Sequence, residues 1–199
     1  MLDRSIPFYN TILKCEQYAE REITLPEGYH FRTYRAGDER AWARLEHETG
    51  DFETQELAEA YFAAQYCQNK DALGERCVFV LDEEDQIVGS CIAWHDAKGG
   101  ETVASLHWLV VSPAHQGRGL GRALCQKVME IFVKNNELPV YIHTQPWSYA
   151  AIPLYVRLGF KLQKRDTFSH YENQYRQSME ALKPLLTGQQ YGELAANSE

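Results

Sequence analysis

No apolar run in this chain approaches the ~18 residues that a membrane helix needs, which argues against a helical membrane span. The first residues, MLDRSIPFYNTILKCEQ, hold neither a long apolar h-region nor a small-residue cleavage site, so no secretory signal is read and cytoplasmic residence is expected. There is no CxxC pair and no Cys–His spacing suited to zinc. The five cysteines (Cys15, Cys67, Cys77, Cys91 and Cys125) are odd in number and scattered, a pattern of buried reduced thiols, and no metal site is expected. Positive charge is also scarce. Twenty Lys and Arg stand against 28 Asp and Glu, a net charge of −8, which argues against nucleic acid as the main partner and is compatible with a cationic small molecule.

What is present suits a packed core: 44% apolar and 12% aromatic residues over 199 positions, enough for one sizeable domain. Residues 1–28 read as an N-terminal arm, with a short helix from Ser5 carrying Phe8, Ile12 and Leu13 on one side. YHFRTYR (29–35) alternates like a strand. Asp38 then caps a helix ending at Gly50, and Thr54 begins a second, with Leu57, Tyr61, Ala64 and Tyr66 as its apolar residues. A hairpin (76–82 and 87–96), a longer strand (102–111), a helix to about Asn135, a strand (139–144), a short helix (149–158) and a strand from Phe160 follow. Ser169 and Glu172 look like a capping box opening a further helix, and 188–199 reads as a frayed tail after a single domain over 29–187. The order implies an α/β (α+β) fold: a mixed, mostly antiparallel central sheet with helices on both faces.

The informative stretch is SPAHQGRGLGRAL (112–124), where three glycines alternate between a buried strand and a helix. A P-loop is excluded because no GK[ST] occurs. A dinucleotide fingerprint fails too: its sixth position is Arg122 or Leu124, depending on the starting glycine. The pattern Q/R-x-x-G-x-G/A is matched throughout by Gln116-Gly117-Arg118-Gly119-Leu120-Gly121. Here the chain resembles the GCN5-related N-acetyltransferase (GNAT) superfamily. A second stretch, SYAAIPLYVRLGF (148–160), resembles the family's later motif, with Ala151, Leu154, Tyr155, Gly159 and Phe160 in register and Ser148 in the usual Asn place. Pro153 inside that helix is expected to distort it. The resemblance covers roughly 29–167.

The resemblance implies a GNAT-like acyl-CoA N-acyltransferase fold and acetyl-CoA as cosubstrate. The pyrophosphate would sit on the backbone of Gln116, Gly117, Arg118, Gly119, Leu120, Gly121 and Arg122, at a helix N-terminus where unpaired N–H groups meet an anion. The arm of the cosubstrate would pair with Leu109, Val110 and Val111, and Ser148 would add a hydrogen bond. Tyr155 is implied as the acid: a phenol of pKa ~10 stays protonated at neutral pH, yet lies close enough to a thiol's ~8.5 to lend a proton. His107 is implied as the base, four residues before Val111 as in some relatives, on a strand face shared with Ser105, Leu109 and Val111. His143 or water are the alternatives.

The acceptor would be a primary amine of a small molecule or peptide. The loop EHETGDFETQE (46–56), with Glu46, Glu48, Asp51, Glu53 and Glu56 and no Lys or Arg, is either an acidic rim that attracts it or a solvated helix end. Trp94, His95, Trp147 and Tyr149 are candidates for an aromatic lining. No nucleic acid or membrane is implied, and a monomer and a homodimer both stay open. A non-catalytic CoA-binding module is the rival reading.

Overall fold

Thr11–Cys15 forms a strand, β1, in a computed structural model that describes residues 3–199. The helix expected from Ser5 is absent. Ile12, Leu13 and Cys15 are all buried, so both faces of the segment are covered; an interior strand satisfies that, whereas an amphipathic helix leaves one face wet.

β2 (His30–Thr33), α1 (Glu39–Thr49) and α2 (Gln55–Gln65) lie where expected. Thr54 caps α2 by accepting from the Leu57 N–H, and Gly50 ends α1 with a φ of 94°. Asp38 occupies the cap position of α1, but its carboxylate is taken by Arg32 at 2.8 and 3.0 Å and by the Arg35 N–H at 2.7 Å. The buried residues of α2 are Ala58 and Phe62, while Leu57 is exposed, so its inner face lies one residue on from the expected stripe.

A short helix, α3 (Lys70–Arg76), was not anticipated. β3 (Cys77–Leu81), β4 (Ile87–Lys98), β5 (Glu101–Val111), α4 (Leu120–Lys134), β6 (Val140–Thr144), α5 (Ile152–Arg157) and β7 (Lys161–Leu162) follow as read. α6 (Tyr175–Leu182) and α7 (Gly188–Ala196) complete the chain.

The strands make one open, seven-stranded mixed sheet in the order β2-β3-β4-β5-β6-β1-β7. β2–β3, β3–β4, β1–β6 and β1–β7 pair antiparallel; β5 and β6 pair in parallel at Ala104–Val140 and Ser105–Tyr141. The expected fold class is the one observed.

Two groups of residues are each compact. The first, Glu20–Trp94 with Leu106–Ile131, holds a core in which Trp42, Phe62, Tyr66, Leu73 and Phe79 are almost wholly buried. Cys77, Cys91 and Cys125 lie buried as free thiols in this group, and burial holds the first two well above the usual thiol pKa.

The second group runs through Ala19, His95–Ser105 and Phe132–Glu199. Ile12, Tyr141 and Phe168 pack together within it. Lys98 Nζ lies 2.6 Å from the Tyr141 hydroxyl and 2.5 Å from Asp166 Oδ1. Burial alone would raise the Asp166 pKa, but the bonds from Lys98 and Tyr141 outweigh it and hold the carboxyl below its ordinary range.

The C-terminus departs from expectation twice. Ser169 opens no helix: its φ is 52°, its N–H donates to the Ala97 carbonyl at 2.6 Å, and α6 begins only at Tyr175. Residues 188–199 do not fray. Thr187 and Gln190 form the capping box of α7, Ser198 bridges to Leu162, and Glu199 reaches Lys161 at 2.8 Å.

Candidate active site

Between β5 and α4 the chain makes a short 3-10 turn (Pro113–His115) and then the loop of alternating glycines. Gly117 and Gly119 have φ of 76° and 85°, values that L side chains rarely adopt, which explains why both positions are glycine. Gln116 Nε2 donates to the Val111 carbonyl at 2.9 Å and pins the loop to the strand end. On the other side the Tyr29 hydroxyl lies 2.9 Å from His115 Nδ1. The α4 ladder opens with the Ala123 N–H donating to the Gly119 carbonyl; the N–H groups before it have no acceptor inside the helix. Gln116 through Gly119 are exposed and nothing lies within 4 Å of a Cβ built on Gly117, while the exposed side chains of Arg118 and Arg122 flank the loop. The residues present therefore fit an anionic diphosphate approaching backbone N–H groups.

Leading into this loop, β5 is not regular. Trp108 has a φ of 50°, rare for a bulky residue, so the simple alternation expected from Ser105 to Val111 breaks there. The Ser90 hydroxyl donates to the Trp108 carbonyl at 3.4 Å. Leu109 and Val111 are half-buried and Val110 is buried. Gly89 on β4 keeps this segment in place: a Cβ there would sit 3.0 Å from the Val110 carbonyl oxygen and 3.1 Å from Leu124. His107 is half-buried, and its Nδ1 lies 2.8 Å from the hydroxyl of Tyr66, a residue 1% exposed.

The acidic loop is only partly a solvated rim. Glu46 is buried at 1% exposure, and desolvation, reinforced by the nearby Asp51 carboxylate, drives its pKa well above the ordinary value. Its Oε1 has no hydrogen-bond partner, nor has Trp42 Nε1 one turn earlier on α1. Glu48 accepts from the Ser112 hydroxyl at 3.4 Å.

In the second group, Tyr155 on α5 is 5% exposed and its ring packs edge-on to Phe160. Pro153 does not distort the helix: α5 begins at Ile152, and in its first turn the missing N–H has no intrahelical acceptor to lose. Ser148 ends a 3-10 turn and is not the helix cap; its Oγ accepts from Gln145 Nε2 at 3.1 Å, which leaves its O–H to donate. His143 is engaged structurally, with Nε2 at 2.9 Å from Asn10 Oδ1 and its ring stacked on Tyr171 at 3.6 Å. Trp147 donates to the Ile6 carbonyl and packs against Phe8, and His95 Nε2 lies 3.3 Å from Glu137 Oε1, so both are engaged by neighbouring groups. Among the described residues no group of three or more His, Cys, Asp and Glu is placed to hold a metal. No helix among them is long and apolar enough to cross a membrane.

Sequence reasoning took Tyr66 only as an apolar residue of α2 and passed over Gly89.

A mixed open sheet with an anion-ready glycine loop between a kinked strand and a helix defines the acetyltransferase-fold class. The chain belongs to the Acetyltransferase (GNAT) family, whose profile matches residues 38–160. It is 30% identical over 158 residues to a mycothiol acetyltransferase of Geodermatophilus obscurus, covering 71% of this chain and 47% of that protein. It is 32% identical over 91 residues to the glucosamine 6-phosphate N-acetyltransferase of Trypanosoma brucei brucei, covering 44% of this chain and 60% of the relative. The chain thus spans about half the length of the mycothiol relative. In fold it resembles a GCN5-related N-acetyltransferase from Sphaerobacter thermophilus, with a TM-score of 0.61 at 22% identity over 78% of this chain and 48% of that one.

Proposed function

We propose that this chain transfers an acetyl group from acetyl-CoA to a primary amine of a small molecule or peptide. The observation that carries the reading is the loop itself: two left-handed glycines, exposed backbone, and a clamp from Gln116 to Val111 ahead of a helix N-terminus. Gln116 to Arg122 bind the diphosphate, Leu109 to Val111 offer backbone groups to the arm of the cosubstrate, and the Ser148 hydroxyl adds a donor. The family profile and the two acetyltransferase relatives support the same chemistry.

Acetyl-CoA, when bound, supplies a thioester whose carbonyl carbon is open to an amine. His107 takes the proton that the amine must lose, directly or through water, and Tyr66 holds the imidazole from its Nδ1 side. Tyr155 gives its phenolic proton to the departing thiolate. The C–N bond forms as the C–S bond breaks, and the proton taken from the amine returns to the phenol through solvent. A backbone N–H next to the kink at Trp108 is suited to the oxyanion.

The test is incubation with acetyl-CoA and a library of primary amines, read as free thiol together with acetylated amine. Amine-dependent thiol release confirms the reading. CoA binding with no turnover on any amine favours a non-catalytic CoA-binding module instead.

A further inference from the structure

The residues around β1 lie outside the stretch that the family profile matches, 38–160, yet they are built into the sheet. β1 lies between β6 and β7, and its antiparallel register with β6 sets Thr11 opposite Thr144, the last residue of that strand. Residues that precede Thr11 must therefore run beside those that follow Thr144. Asn10 is fixed at this point. Its Oδ1 lies 2.9 Å from His143 Nε2, its N–H donates to Gln174 Oε1 at 2.9 Å, and its carbonyl accepts from the Gln174 N–H at 3.1 Å.

Three different interactions then converge on one indole, that of Trp147. Its Nε1–H donates to the Ile6 carbonyl, the Phe8 ring stands edge-on at 5.3 Å, and the Arg4 guanidinium lies 4.7 Å from the ring centroid. Little apolar surface is buried in return: Phe8 is 47% exposed, Arg4 is exposed and Trp147 is only half-buried. What this clamp fixes is direction. The next residue is Ser148, whose hydroxyl oxygen accepts from Gln145 Nε2 and whose carbonyl accepts from the Ala151 N–H at 2.8 Å. The Ala151 carbonyl in turn accepts from the Tyr155 N–H at 3.0 Å. A six-residue helix such as α5 has little stability of its own, so the turn that leads into it sets where its side chains lie.

We infer that residues 4–10 are a strap that acts on catalysis through Trp147, a positioning residue that sets the Ser148 hydroxyl and the start of α5, and with it the Tyr155 phenol. In turnover this role rests on the acetyltransferase reading above; the ordering of the turn does not. An arm that served only to extend the sheet would need the pairing of β1 and no indole held from three sides.

The experiment compares the unaltered chain with Trp147→Phe, which keeps a ring and removes the donor, and with Phe8→Ala, at an exposed side chain whose loss spares the core. Without ligand, hydrogen exchange at the Ala151 and Tyr155 amides, followed by NMR, is expected to quicken roughly tenfold or more in both variants, with the β1 amides unchanged. With saturating acetyl-CoA and a substrate amine, the single-turnover rate is expected to fall roughly ten- to a hundredfold, the scale of a small misplacement of a catalytic group. In a Tyr155→Phe background the same substitutions are expected to cost less than about twofold, because the group they place is gone. Where Trp147→Phe does not fold, Phe8→Ala carries the same test. Turnover by the unaltered chain with unchanged exchange, with an unchanged rate, or with a loss as large in the Tyr155→Phe background would overturn this inference alone. No acetyl transfer by the unaltered chain to any amine would refute the proposed function and this catalytic role with it, even where exchange quickens.

Discussion

The Tyr66 hydroxyl and His107 Nδ1 lie 2.8 Å apart although 41 residues separate them in the chain. Tyr66 is buried and its ring stands edge-on to Trp94, so the hydroxyl has a fixed place from which to orient the imidazole. Tyr66→Phe keeps the packing and removes that contact. The expected result is a roughly tenfold slower single-turnover rate and an altered pH–rate profile, with acetyl-CoA affinity unchanged, a smaller loss than the 10²–10⁴ of a positioned base itself. An unchanged rate and profile would contradict the positioning role.

Tyr155→Phe tests the acid. The ring still packs on Phe160, so acetyl-CoA affinity is expected to hold while the single-turnover rate falls by roughly 10²–10⁴. Because the proton moves only as the bond breaks, kcat and kcat/KM fall together where chemistry limits turnover. A folded variant with unaltered single-turnover kinetics would remove Tyr155 from the mechanism.

Glu46 gives a pH signature in stability. Its folded pKa lies well above the ordinary value of 4.5, so its contribution is fully present below that value and is lost as pH rises towards the folded pKa. Glu46→Gln never ionises. The Tm of the variant relative to the unaltered chain is therefore expected to climb as pH rises from about 4.5, the ordinary carboxyl value, and to level off above the folded pKa. A difference in Tm that is flat with pH would contradict the assignment.

Gly89 is expected to be intolerant. An added Cβ meets the Val110 carbonyl oxygen at 3.0 Å, a backbone atom that gives way only by moving β5. Gly89→Ala should cost about 1–3 kcal/mol, the usual range for overpacking, and weaken CoA binding as Val110 and Val111 shift. Denaturant unfolding and calorimetry check both; unchanged values would show that the strands can part without consequence.

Legibility of the fold and site followed how local each signal is. α1 and α2 were readable because Thr54 and Gly50 mark their ends in the sequence itself. α3 was not, since seven residues with one buried side chain, Leu73, show no period. β1 was misread because a strand covered on both faces does not alternate. The kink in β5 falls on a tryptophan rather than a glycine, so nothing local announced it. For the site, the glycine loop was legible as a continuous motif with a stated mechanism. The contacts of Tyr66 and Gly89 join distant segments, and no spacing rule reaches them.

The central claim is that the loop from Gln116 to Arg122 cradles a CoA diphosphate, and the most direct measurement is a calorimetric titration of CoA into the unaltered chain and into Gly119→Val. At φ 85° a β-branched residue is strained, so the loop cannot keep the conformation that presents its N–H groups. The account predicts tight binding to the unaltered chain and at least tenfold weaker binding to the variant, about 1.4 kcal/mol. Equal affinity in a folded Gly119→Val protein, or no binding to either, would contradict it.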